Sequence, residues 1–231
     1  MLNAQNESSV LTLPRDTRLP KTIAAETRKI YDALAAIYPM STWCFHSRAH
    51  RAALEMSGIE DGMRVLELAT GSGEMFRRLV SANPRGTTVG VDLSPNMAAK
   101  TLRQARGEFP RADTHCQAVD ARYLPFADDC FDAVVCCYLL ELMSTEDALQ
   151  SLEETWRVLR PQGTFTLILI GQNAEFFNQL YRLAGSLAPA FWGRQIAQRV
   201  PDMMESCQFR VVEERAVRQN GYPSRVVSAR K

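Results

Sequence analysis

Long hydrophobic runs are missing from this chain. No stretch of its 231 residues approaches the roughly 18 apolar positions that span a bilayer. The opening residues, MLNAQNESSVLTLPRDTRLP, lack the basic start and apolar run of a secretory leader. A soluble, cytoplasmic protein is the resulting expectation. An excess of charge is missing too: 27 Lys and Arg stand against 26 Asp and Glu, a formal net charge of +1. No global field then draws the protein to nucleic acid, and any basic surface must be local. The six cysteines form no CxxC pair, and Cys136 and Cys137 lie inside the apolar run FDAVVCCYLLELM, so they read as buried free thiols rather than disulfides. Three scattered histidines supply no cluster with zinc-ligand spacing, and no metal is expected.

What is present is an alternation of short β-branched runs with helix-length segments. RVLELAT, TTVGVD, THCQAVD, FDAVVCCYLL and GTFTLILIG read as strands. GEMFRRLVSAN, SPNMAAKTLRQARGEF and STEDALQSLEETWRVLR have helical apolar spacing, with Ser94-Pro95 and Ser144 as starts. This pattern predicts a parallel sheet covered by helices on both faces. At the C-terminus, FRVVEERAV and SRVVSARK flank the turn RQNGYP and predict an antiparallel hairpin. Before residue 60, KTIAAETRKIYDALAAIY and HSRAHRAALEMSG read as two helices, the second ending at Gly58.

The stretch VLELATGSGEM carries the first chemical signal. A strand enters Ala69-Thr70-Gly71-Ser72-Gly73, whose two glycines permit positive φ and close approach of a ligand, while the free amides of the following helix favour polar or anionic groups. The dinucleotide pattern GxGxxG fails, because Phe76 stands at its third glycine. A GxxxxGK[ST] phosphate loop is absent as well. About 20 residues further on, the second strand ends in Asp92, a carboxylate able to accept both hydroxyls of a ribose. The third strand is read as ending in Asp120, and the run LPFADDCFD follows.

These features resemble the class I S-adenosylmethionine-dependent methyltransferases, and most closely the group of quinone-biosynthesis C-methyltransferases and phosphatidylethanolamine N-methyltransferases. Glu67, Ala69, Gly71 and Gly73 fall on that family's first motif, with alanine at its first glycine. Leu124, Pro125, Phe126, Phe131 and Asp132 match the run into strand four, and WRVLRPQGTFTLIL matches the helix into strand five, with Gln162 where glycine is common. The resemblance covers roughly residues 60 to 171. It implies an α/β, Rossmann-like seven-stranded methyltransferase sheet with helices on both faces, the last strand antiparallel, and an N-terminal helical lid. The implied organisation is a flexible tail at 1–20 and a single methyltransferase domain at 21–231. Within it, 21–59 is the lid, 60–171 the cofactor-binding core, 172–207 a helical insertion and 208–231 the terminal hairpin.

The cofactor so implied is S-adenosyl-L-methionine, held by Glu67, Ala69, Gly71, Gly73, Asp92, Leu93, Asp120, Ala121 and Cys137. Asp120 would accept the adenine amino group and the Ala121 amide would donate to a ring nitrogen. The reaction is methyl transfer to a small, apolar or lipid-like acceptor, quinone-like or a phospholipid amine. The end of strand four reads CCYLLEL rather than the [DN]PP[YF] of enzymes that methylate nucleobase or glutamine amides, which speaks against a nucleic-acid acceptor. Glu141 is the expected base or ammonium-orienting group, or else a polar neighbour of the pocket, and Tyr38 a second catalytic candidate. His46, Arg48, His50 and Arg51 read as a basic helix face, solvated or in contact with an anionic group. The aromatic segment FFNQLYRLAGSLAPAFWGR reads as packing on the sheet, as an acceptor channel or as a peripheral membrane contact. The alternative function is a non-catalytic donor-binding regulatory or scaffold subunit with the same fold.

Overall fold

A computed structural model describes residues 38–171, 199–220 and 222–231, with side chains from residue 46 onward. The strands are β1 (Arg64–Leu68), β2 (Thr87–Asp92), β3 (Asp113–Ala118), β4 (Phe131–Cys137), β5 (Leu159–Ile170), β6 (Arg210–Gln219) and β7 (Tyr222–Arg230). The helices are α1 (Tyr38–Met56), α2 (Glu74–Ala82), α3 (Pro95–Glu108), α4 (Thr145–Val158) and α5 (Val200–Ser206), with a 3-10 turn at Leu140–Leu142. The strands form one seven-stranded sheet in the order β3-β2-β1-β4-β5-β7-β6. Neighbours along β3-β2-β1-β4-β5 pair in parallel, and β7 runs antiparallel to both β5 and β6. The expected fold class is therefore the observed one. Strand order reverses between β1 and β4, and the crevice beyond their carboxyl ends is where open α/β sheets bind ligands.

Alternating side chains give the sheet two apolar faces. Leu66, Leu68, Val91, Val134, Phe165 and Leu167 meet α4 and α5 on one side. On the other, Val65, Val135, Ile168 and Val226 meet Ala49, Ala53 and Met56 of α1 and Met75 and Leu79 of α2. The expected helix starts are real caps: Ser94 Oγ accepts from the Met97 amide, and Ser144 Oγ from the Asp147 amide.

The structure revises some boundaries. The helix expected to start at His46 begins at Tyr38, with Pro39 in its first turn, where a missing N–H costs nothing. Strand β3 stops at Ala118, two residues short of Asp120, and the last bond of its ladder runs from the Val119 amide to the Asp92 carbonyl. Strand β5 begins at Leu159, directly after α4, and resumes pairing at Thr164 after Gln162 has taken φ 67, a left-handed position that suits glycine. The hairpin closes tightly, with Gln219 paired to Tyr222. The 1–20 tail, residues 21–37 of the helix expected over 21–38, the side chain of Tyr38 and most of the 172–207 insertion lie outside the described residues.

Phe76, the residue that broke the dinucleotide pattern, is fully buried on α2. The space it needs comes from the strand: a Cβ added at Gly90 of β2 would stand 2.9 Å from Phe76 Cε2 and 2.5 Å from Thr70 Cγ2. The small residue sits on the strand rather than on the helix. Gly90→Val is expected to destabilise the protein by about 3 kcal/mol through overpacking, read as a lower urea midpoint. Adding Phe76→Leu should recover part of that loss; a Gly90→Val midpoint equal to the parent's would contradict this packing.

Candidate active site

The carboxyl end of β1 opens into the turn 69–73. Ala69, Gly71 and Gly73 all lie in the left-handed region, at φ 57, 49 and 80. For Ala69 this costs about 1 kcal/mol, since its Cβ crowds the carbonyl. The turn is braced from β2. Asp92 Oδ2 accepts from the Gly71 amide at 2.8 Å, and Oδ1 accepts from the Ser94 amide at 2.9 Å. These bonds fix the direction of the Asp92 carboxylate at the mouth of the crevice. Leu93 follows it, half-buried. A Cβ at Gly71 would meet only the Ala69 carbonyl oxygen, at 3.9 Å, so this backbone has room beside it. Gly73, by contrast, is tight against Thr101 Oγ1, at 2.9 Å. One glycine leaves room for a ligand and the other permits helix packing.

Glu67, at the fourth position of β1, is buried, and neither carboxylate oxygen has a hydrogen-bond partner among the described residues. Burial, with the nearby Asp92 carboxylate, holds its carboxyl well above the ordinary range. A buried acidic group with unmet acceptors suits a ligand that brings N–H donors and positive charge. S-adenosyl-L-methionine carries an ammonium group and a sulfonium, so the residues present fit it.

Asp120 lies just beyond β3, beside Asp92 through the Val119–Asp92 bond. Its carboxylate is engaged by Arg122, and Ala121 between them is buried. Cys137 closes β4 half-buried, its thiol pushed up chiefly by burial. All the expected donor-site residues thus converge on the carboxyl ends of β1 to β4.

Glu141, on the 3-10 turn after β4, is buried against the end of β5. Its Oε1 accepts from the Ile170 amide at 2.6 Å, while Oε2 is buried without a partner among the described residues. Burial pushes its carboxyl up to about 7, against the pull of the Ile170 bond. That value suits a group that takes up and releases a proton at neutral pH.

The basic face expected on α1 is divided. Arg48 and Arg51 are exposed, but His46 and His50 turn inward. Burial lowers His46 to about 4 and His50 to about 3, the latter helped by His46 and Arg78. At neutral pH both imidazoles are uncharged, so any anion must be met by the arginines. His46 instead stacks 4.5 Å from the Tyr138 ring and 4.9 Å from that of Tyr222. Tyr138 itself was not singled out from sequence. It ends the β4 pairing at φ 55, and its hydroxyl lies 2.7 Å from Ser224 Oγ. An aromatic residue in CCYLLEL gave no sign of a left-handed backbone.

Comparison with known proteins agrees with this geometry. Residues 65–163 match the family described as a methyltransferase domain. The ubiquinone/menaquinone biosynthesis C-methyltransferase of Desulfotalea psychrophila is 35% identical over 139 residues, 58% of this chain and 54% of that protein. A 2-phytyl-1,4-naphtoquinone methyltransferase of Trichormus variabilis is 29% identical over 62% of this chain and 64% of its own. The chain thus spans between half and two-thirds of these relatives' length. Among solved structures, an N-methyltransferase from Bradyrhizobium japonicum in complex with S-adenosyl-L-homocysteine shares the fold, with TM-score 0.70, 14% identity and coverage of 89% of this chain and 98% of that one. Over residues 65–163 the chain is thus similar to the methyltransferase-domain family, and it shares the fold of a solved methyltransferase.

Proposed function

We propose that this protein is an S-adenosylmethionine-dependent methyltransferase whose acceptor is a small, apolar, quinone-like molecule. The observation that carries the donor reading is Glu67, buried with both oxygens unpartnered beside the braced Asp92. Bound there, the donor supplies a methyl group already activated by sulfonium charge. The protein's own part is alignment and exclusion of water. Glu67 accepts from the ammonium, Asp92 from the ribose hydroxyls and Asp120 from the base.

Acceptor chemistry falls to the β4 and β5 ends. A phenol or hydroquinone becomes nucleophilic when its O–H proton leaves, and in this reading Glu141 Oε2, unpartnered among the described residues and near-neutral in affinity for protons, receives it. The uncharged His46 and the Tyr138 and Tyr222 rings give that side an apolar, aromatic wall. The names of the quinone methyltransferase relatives support the same acceptor class. The test incubates protein and donor with reduced naphthoquinones, with phosphatidylethanolamine vesicles and with a cell extract, measuring S-adenosylhomocysteine release and masses increased by one methyl group. Turnover of the quinols is expected. Turnover of the vesicle lipid alone would move the acceptor to a lipid amine, and donor binding without any turnover would identify a regulatory subunit.

A further inference from the structure

Asp120 is held by a neighbour that neither its motif nor its position announced. Arg122 Nε lies 3.0 Å from Asp120 Oδ1 and 3.2 Å from Oδ2, its Nη2 lies 2.6 Å from Oδ2, and its backbone amide donates to Oδ1 at 3.0 Å. The other arm of the guanidinium, Nη1, is fastened to Asp147 Oδ1 on α4 at 2.7 Å. The Arg122 and Asp120 side chains are 12% and 8% exposed, and that of Asp147 37%. The Tyr123 ring lies 5.7 Å from the guanidinium. A short surface loop is thereby clamped to a helix through one half-buried cation.

The clamp limits what Asp120 can offer. A carboxylate has about four acceptor positions. Two on Oδ1 are taken by the Arg122 amide and Nε, and one on Oδ2 by Nη2, with Nε shared between the oxygens. One acceptor position remains, and an ion-paired carboxylate has no proton to donate. We propose that Arg122, tethered by Asp147, is a positioning residue that sets the nucleobase specificity of the donor site, by presenting Asp120 as a single fixed acceptor that takes the exocyclic N–H of adenine and rejects a 6-oxo purine. The inference rests on the donor reading above and adds the source of its base selectivity. A 6-oxo base would aim a carbonyl at that acceptor, leaving two oxygens facing each other in a buried site. Without Arg122, the Asp120 carboxylate loses its counter-charge and the bonds that fix its direction, and it turns toward water. No longer held in one direction, it stops presenting a single fixed acceptor, and the distinction between the bases fades.

The test uses calorimetric titration of S-adenosyl-L-homocysteine and its deaminated analogue S-inosyl-L-homocysteine into the full chain, Arg122→Gln and Asp147→Asn. The parent is expected to favour the adenosyl ligand by about 30-fold or more, the worth of one charge-assisted hydrogen bond. Arg122→Gln should reduce the ratio to about 3-fold, and Asp147→Asn to an intermediate value. Should Arg122→Gln not fold, Asp147→Asn, altered at a part-exposed position, decides alone. An unchanged ratio in the folded variants, or a parallel loss of both ligands at constant ratio, overturns the proposal while the donor reading stands. A parent that binds neither ligand overturns both.

Discussion

Replacing Asp92 with alanine is expected to lower the affinity for S-adenosyl-L-homocysteine by about 100-fold or more. Two charge-assisted hydrogen bonds to ribose hydroxyls are lost, worth together about 3 kcal/mol. The same change removes the acceptor of the Gly71 and Ser94 amides, so the turn beside the ligand loses its brace. Asp92→Asn separates the two effects. Its remaining oxygen can still accept from Gly71, but its amide nitrogen cannot accept, and a loss of about 10-fold is expected. Titration calorimetry reads both variants. An Asp92→Ala affinity within about threefold of the parent, a difference below 1 kcal/mol, would remove the ribose assignment.

Glu141→Gln is expected to reduce turnover by about 100-fold to 10,000-fold with little change in donor affinity, the usual range for losing a general base. The glutamine retains an oxygen for the Ile170 amide, so the change is confined to the proton-accepting atom. The base works deprotonated, so the parent's rate should rise with pH through about 7 and level above it, and this limb should vanish in the variant. Stability moves the opposite way. The folded carboxyl is raised from its ordinary 4.5 to about 7, so the folded state holds more protons than the unfolded chain between those values. The stabilisation of the neutral form is complete below pH 4.5 and lost as pH rises through 7, about 3 kcal/mol in all. Glu141→Gln should therefore flatten the pH dependence of urea unfolding over this window. A variant with the parent's turnover and pH profile would exclude Glu141 from proton transfer.

Sequence reading proposed a donor site through features that act locally. Two glycines after an apolar strand, and an aspartate at the next strand's end, report on backbone freedom and on the polarity of a chain leaving the sheet. The structure accordingly places Gly71 and Asp92 in hydrogen-bond contact. Long-range features were not legible in the same way. Arg122 reads as a solvated side chain, because its second partner, Asp147, is 25 residues away. The pairing of Phe76 with Gly90 depends on which face of β2 lies under α2. The four residues His46, Arg48, His50 and Arg51 look alike as basic groups, and only the packing of α1 turns the imidazoles inward and neutralises them. Ala69 and Gln162 occupy left-handed positions that their residue types do not signal. Burial, more than residue type, decided which polar groups became chemically distinctive.

The central claim is that the crevice between β1 and β4 binds the methyl donor through Glu67, Asp92 and Asp120. Titration of S-adenosyl-L-homocysteine into the full chain, followed by calorimetry, tests it most directly. Saturable one-site binding in the micromolar range is expected, with proton exchange as the buried Glu67 carboxyl meets the ligand's ammonium, seen as a heat that varies with the ionisation enthalpy of the buffer. No binding at millimolar ligand, by a folded protein, would contradict it.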